Sequence, residues 1–199
     1  EGGGPGLLVA DGGTVEFSSN QSLNGGVLRA ENGGQLVRLG NGTLTISDLT
    51  LEGDLDLLPG GNMHVNGDSL VNDGAVLIND SASTTNSWVQ FNGNTAVTGT
   101  GRFLLGGGGD DSQMFTNGTT VTFGPDQRLE GEGRLTGAWV HNGTVEPGLP
   151  IGSIVGNSGS FTFGDSAVFE VQTDGAGSGD RLDYTSGMVN VDGEVRVAL

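Results

Sequence analysis

Ala10-Asp11-Gly12-Gly13-Thr14-Val15 is followed about 20 residues later by Ala30-Glu31-Asn32-Gly33-Gly34-Gln35-Leu36, and this echo decides the fold. Each stretch runs from a small residue through an acidic one to a glycine turn and back to an apolar residue. A repeat of that length is one coil of a solenoid, a unit too thin to bury its own apolar face and therefore stacked on its neighbours. Outward from this pair the rhythm continues. Leu7-Leu8-Val9 leads to Val15 and Phe17, and Val27-Leu28 leads to Leu36, Val37 and Leu39. Asn41-Gly42 opens onto Leu44, Ile46, Leu49 and Leu51, and Asn72-Asp73-Gly74 onto Val76-Leu77-Ile78. Gly53 to Leu58 alternates Leu55 and Leu57 with Asp54 and Asp56, which reads as a strand with one buried face.

Turn residues punctuate these runs for physical reasons. Gly adopts positive φ freely, and Asn and Asp tolerate it while bonding their own backbone. With strands so short and turns so closely repeated, the pattern predicts an all-β, right-handed parallel β-solenoid, the hand being taken from the resemblance described below. About ten coils at a strand spacing near 4.8 Å give a rod on the order of 50 Å long. A β-sandwich of about seven antiparallel strands is the main rival, and its longer hairpin-linked strands fit less well. Disorder fits poorly too, because a disordered tract has no reason to space its apolar residues regularly.

At residue 146 the rhythm changes. Pro147-Gly148-Leu149-Pro150 interrupts it, and longer alternating strands follow at Phe161-Thr162-Phe163, Val168 to Val171 and Val189 to Leu199. We divide one continuous domain into solenoid coils over 1–145 and final coils with capping or docking strands, hairpin-like in pattern, over 146–199.

Composition narrows the function. Gly makes up 40 of 199 residues, and 24 acidic residues face 7 basic ones for a net charge of −17. There is no Lys and no Cys. Such a surface repels nucleic acid and anionic membranes, whose phosphates call for cationic side chains. No apolar run reaches the length of a membrane span, so no membrane insertion is expected. Stability does not rest on disulfides, which leaves secretion open. The opening Glu1-Gly2-Gly3-Gly4-Pro5 reads as the start of a mature chain or of an excised repeat, with no signal peptide.

The stretch Leu129-Glu130-Gly131-Glu132-Gly133-Arg134-Leu135-Thr136-Gly137-Ala138-Trp139-Val140-His141-Asn142-Gly143-Thr144-Val145-Glu146-Pro147-Gly148 resembles the passenger-associated repeat of bacterial autotransporters and filamentous-haemagglutinin-like adhesins. Phe161 to Val171 is similar to that repeat's strand pair. Asp180-Arg181-Leu182 with Gly187, Val189, Val191, Gly193, Val195 and Val197 is similar to its closing strands. The resemblance covers residues 129–199 by motif and the rest by composition. It implies a right-handed parallel β-helix at the bacterial cell surface that serves as an adhesin, stalk or matrix protein. The sequence departs from that pattern in having no membrane-barrel translocator after Leu199, which points to a fragment or to another mode of anchoring.

Candidate chemistry is sparse. His64 and His141 each fit an outward strand position, and a catalytic triad needs a buried Asp behind its His. Asp54 and Asp56 on one strand face, about 7 Å apart, and the pair Asp110 and Asp111 with Arg102 nearby, are the residues a polysaccharide lyase or hydrolase would use. No catalytic residue and no cofactor is assigned. Asp110, Asp111, Asp180 and Asp183 are the candidate calcium ligands, since Ca²⁺ takes six to eight oxygens, although none matches a known loop. A carbohydrate-binding module is a further alternative, with Trp88 or Trp139 stacking on surface glycans. The leading expectation is mechanical: an extracellular structural or adhesive element whose partner is itself or the neighbouring repeats of a longer chain. Open strand edges at both ends pair head to tail through Leu7, Val9, Val15 and Phe17 at one end and Val189, Val191, Val195 and Val197 at the other.

Overall fold

The computed structural model describes residues 6–198 except 82, 108, 149, 150, 175 and 177. Among the described residues there are strands and no helix, and thus no helix long and apolar enough to cross a membrane. The chain winds through about eight turns. The first coils are β1 (Leu7–Asp11) and β2 (Thr14–Phe17), then β3 (Gln21–Asn24), β4 (Val27–Glu31) and β5 (Gln35–Arg38), then β6 (Gly42–Glu52) and β7 (Leu55–Leu57). The middle coils are β8 (Gly61–Asn72) and β9 (Ala75–Ile78), then β10 (Ser87–Phe91), β11 (Ala96–Thr98) and β12 (Arg102–Leu105), then β13 (Ser112–Phe123) and β14 (Arg128–Gly131). The last are β15 (Gly133–His141) and β16 (Thr144–Pro147), β17 (Ser153–Phe163) and β18 (Val168–Gln172), and β19 (Arg181–Tyr184), β20 (Met188–Val191) and β21 (Glu194–Ala198).

Every ladder between these strands is parallel. The strands form three walls. The long strands of the 12-stranded sheet bend midway, so β3 and β4 both lie on β6, and β10 and β11 both lie on β8 and β13. Wall I is the part before the bend and wall II the part after it. Wall III is the 9-stranded sheet, from β2 to β21. Its nine rungs make eight steps, so the rod is about 38 Å long rather than the expected 50 Å. Coils are longer than the repeat suggested, because Leu7 pairs with Val27 at a separation of 20 while Asn190 meets Thr162 at a separation of 28.

Glycine makes the bend between walls I and II possible. Gly159 has φ of +100°, and a Cβ there would stand 2.0 Å from the carbonyl oxygen of Gly137 on the coil before. No side chain fits between coils so close. Elsewhere Asn32, Asn41 and Asn79 hold positive φ. The side-chain amide of Asn79, itself buried beneath an exposed corner, donates to the carbonyls of Ser83, Thr85 and Asp111 and so holds that corner to the coil.

The core is a set of columns running through the rod. Leu44, Met63, Val89, Met114 and Leu135 stack on wall I, and Leu36, Leu55, Val76, Phe103 and Leu129 on wall III. Each such side chain contributes about 1.5–3 kcal/mol of burial. Aromatics take over in the later coils. Phe91 meets Trp139 edge-on at 5.7 Å, and His141 stacks between Phe123 at 4.9 Å and Phe161 at 6.2 Å.

The strands after residue 146 are not hairpins. β17 to β21 continue the same walls in parallel, and the antiparallel contacts among the described residues are isolated bridges at Gly131–Gly148 and Thr173–Gly179. Alternation alone does not distinguish the two pairings, since a side chain changes face at every residue in both. Pro147 and Gly148 fall at the end of a wall III strand, where a break in pairing costs least. Leu149, Pro150, Leu199 and the opening residues 1–5 lie outside the described residues.

Candidate functional site

Among the described residues the inner face is bare at the C-terminal end of the rod, whereas at the other end Leu7 and Leu8 are exposed but Ala10 and Phe17 are buried. Val189 and Val191 sit in register with the core residues Phe161 and Phe163, and Val195 with Phe169, which packs on that core. Val197 follows two residues on. These valines therefore point along the inner face, yet they are 40–60% exposed, whereas Phe161 and Phe163 one rung inward are nearly closed off. At the other end β1 and β2 are the outermost rungs of walls II and III. Val15 there pairs with the core residue Leu36, and Phe17 with the buried Arg38. Leu8 and Ala10, in register with Leu28 and Ala30, are the inner residues of β1. Leu7 and Val9, expected to face the end, pair instead with Val27 and Arg29, and Arg29 is held outside by Glu52 at 2.5 Å. Leu7-Leu8-Val9-Ala10 is apolar in both phases, so its sequence gives no parity.

The two ends are compatible in topology. β20 and β1 are edge strands of one wall, β21 and β2 of another, and chain direction is the same throughout. Each edge leaves a row of backbone donors and acceptors without strand partners, the usual template for adding a further strand.

The calcium candidates are engaged elsewhere. Asp110 pairs with Arg134, and Asp183 with Arg181. Asp180 is buried and accepts from the backbone N–H groups of Gly152 at 3.0 Å and Gln172 at 2.7 Å, which pins the loop between β18 and β19 to the preceding coil. Asp111 lends its carbonyl to Asn79 and Ser87. Among the described residues no three acidic or histidine side chains form a group fit for a metal ion.

The carboxylates proposed for hydrolysis do not converge. Asp54 accepts from the N–H of Ala75 at 3.0 Å in a turn. Asp56 stands on the outer face of wall III, where burial first and then the charge of Asp80 push its pKa up. Arg102 does not approach Asp110. It reaches Glu130 at 3.5 Å, across wall III. There Arg128 bridges Glu130 and Glu146, the latter at 2.7 Å, and both carboxylates are mostly covered. This network spans residues a whole coil apart, so only the coil length could have revealed it.

His141 and Trp139 also correct the sequence reading, since both are core residues rather than surface ones. Leu135, Trp139 and His141 share one phase of β15, so the alternation set by Leu135 carries through Gly137 and turns the two larger rings inward, leaving Val140 on the other face. Burial pushes the imidazole of His141 down to about 3, and its Nδ1 accepts from the N–H of Gly143 at 3.1 Å. His64 stays on the outer face as expected, with its pKa lowered by partial burial. Burial pushes the Tyr184 hydroxyl up in the same way. Trp88 is partly exposed on wall I.

The chain is thus a β-solenoid. A scan against family models and searches of curated proteins and solved structures find no match.

Proposed function

We propose that this protein is a structural and adhesive β-solenoid that extends end to end, with another copy of itself as partner, in an extracellular bacterial filament. The observation that carries this reading is the set of four inner-face valines left bare on β20 and β21. Covering such residues is favourable, and a copy stacked in the same direction would cover them with Leu8 and Val15 while continuing two parallel ladders. The contact joins unlike surfaces, so it does not close on itself and generates a fibre. The surface location and adhesive role rest on the resemblance of residues 129–199 to autotransporter passengers and filamentous haemagglutinins.

Negative-stain electron microscopy over a range of protein concentration tests this. Fibres of uniform width are expected, and Val191→Lys with Val197→Lys should reduce them to single rods by placing two charges in the contact. Wild-type protein that remains monomeric at every concentration, by light scattering as well as microscopy, would sink the proposal.

A further inference from the structure

The outer face of wall I is chemically unlike that of wall III. The wall I segments 21–24, 42–47, 61–66, 87–92, 112–117 and 133–136 contain no aspartate or glutamate, in a chain that has 24 of them, and Asp183 on β19, the last rung of this wall, is paired with Arg181. Wall III, by contrast, carries Asp56, Glu130, Glu146 and Glu170 outward. A neutral strip on so acidic a molecule is a local property of this face.

Three rings occupy its centre. His64, Trp88 and Phe115 come from consecutive rungs and are all partly exposed. Trp88 lies 5.2 Å from each of the other two, with planes tilted by 34° to His64 and 48° to Phe115. Since His64, Gln90 and Phe115 share one register column, the indole leans across Gln90 to complete a line of rings along the rod axis. Tilted rings overlap incompletely and leave part of their faces open.

Amides flank this line on both sides. On one side Asn92 donates to Asn66 at 2.8 Å and Asn117 reaches Asn92 at 3.5 Å, a ladder with the period of the coils. On the other side Asn62 adjoins Trp88 in register, and its Oδ1 is shielded yet has no hydrogen-bond partner in the protein. The nearby cation Arg134 is neutralised by Asp110, while its Nε is left without a partner.

We propose that the outer face of wall I binds an uncharged linear polysaccharide laid along the solenoid axis. A pyranose presents an apolar C–H face and a rim of hydroxyls. The rings supply an apolar surface for the first. The amides both donate and accept, as a hydroxyl requires. The rings and the amides step along the axis at about 4.8 Å per rung, so successive sugars of an extended chain each meet a ring on one side and an amide on the other. An anionic polymer meets no unpaired cation here and is opposed by the net charge of −17. The inference concerns a side wall and stands independently of what happens at the ends.

The test is titration of the intact protein with cellohexaose, xylohexaose and chitohexaose, read by tryptophan emission and by calorimetry. Trp139 is 1% exposed, so a change in emission on binding reports Trp88. We expect saturable binding of at least one of these oligosaccharides. Trp88→Ala and Asn92→Ala should each weaken it at least tenfold by calorimetry, while far-UV circular dichroism shows both variants folded. The proposal is overturned if none of the three binds at millimolar concentration. It is overturned equally by binding that Trp88→Ala leaves unchanged, or by a preference for polygalacturonate over the neutral probes.

Discussion

His141 should make this protein sensitive to mild acid. Its imidazole is fully buried between two phenylalanine rings and its pKa falls from 6.5 to about 3. The folded protein therefore keeps it neutral over a range in which the unfolded chain protonates it. Unfolding takes up a proton, so the stability associated with the neutral ring is fully present above pH 6.5 and is lost as pH falls toward 3. Between pH 7 and pH 5 the loss from this one group amounts to about 2 kcal/mol. Both values lie above the isoelectric point near 4.1, so the molecule stays anionic throughout. Asp56 acts in the opposite sense, because a carboxylate with a raised pKa gains stability as pH falls. The comparison that isolates His141 is thus wild type against His141→Phe. The variant keeps an aromatic ring in the stack and loses only the acceptor for Gly143, a pH-independent cost of about 1 kcal/mol. Urea unfolding followed by tryptophan emission at pH 7 and pH 5 should show the wild type losing about 2 kcal/mol more than the variant. Equal losses to within about 0.5 kcal/mol, well under that expected difference, would mean that the ring is protonated in the folded state, and the reasoning would fail.

Two further substitutions probe the coil geometry. Gly159→Ala places a methyl group against the carbonyl of Gly137 at a φ of +100°, and should lower stability by well over about 1 kcal/mol. An unchanged thermal midpoint would show that adjacent coils can separate at this corner. Arg38 is buried, donates to the carbonyl of Phe17 and leaves Nε and Nη2 without partners, and burial lowers its pKa. Arg38→Met should therefore raise the urea midpoint by a gain of about 1 kcal/mol or more, and a drop would contradict the view that this charge is a net cost.

Much of the architecture was legible in the sequence because rung partners resemble one another. Ala10 does pair with Ala30 and Val15 with Leu36, so the repeat that opened the reading is a true register. What escaped was parity and reach. Trp139 and His141 stand four and six residues after Leu135 in one unbroken alternation, so the strand phase set by Leu135, rather than the polarity of the ring, decides that they face inward. Coil length varied because corner segments such as 79–86 and 106–111 lengthen some turns without disturbing the walls. The ends were legible as the valine strands of 189–197 but not as Leu8 and Ala10, whose neighbours are equally apolar. The line of His64, Trp88 and Phe115 could not be seen at all without knowing that two coils of 26 and 25 residues bring them together.

The distribution of aromatic rings has a consequence for how an assembled fibre would wear. Phenylalanine, tryptophan and histidine rings bind the later coils to one another, whereas the proposed junction between copies would set valine against leucine and valine. In a one-dimensional stack, fracture follows the weakest step. Strain or dilution would then divide the fibre at its joints and release whole rods, each still wound and ready to rejoin, rather than unravelling a coil from within.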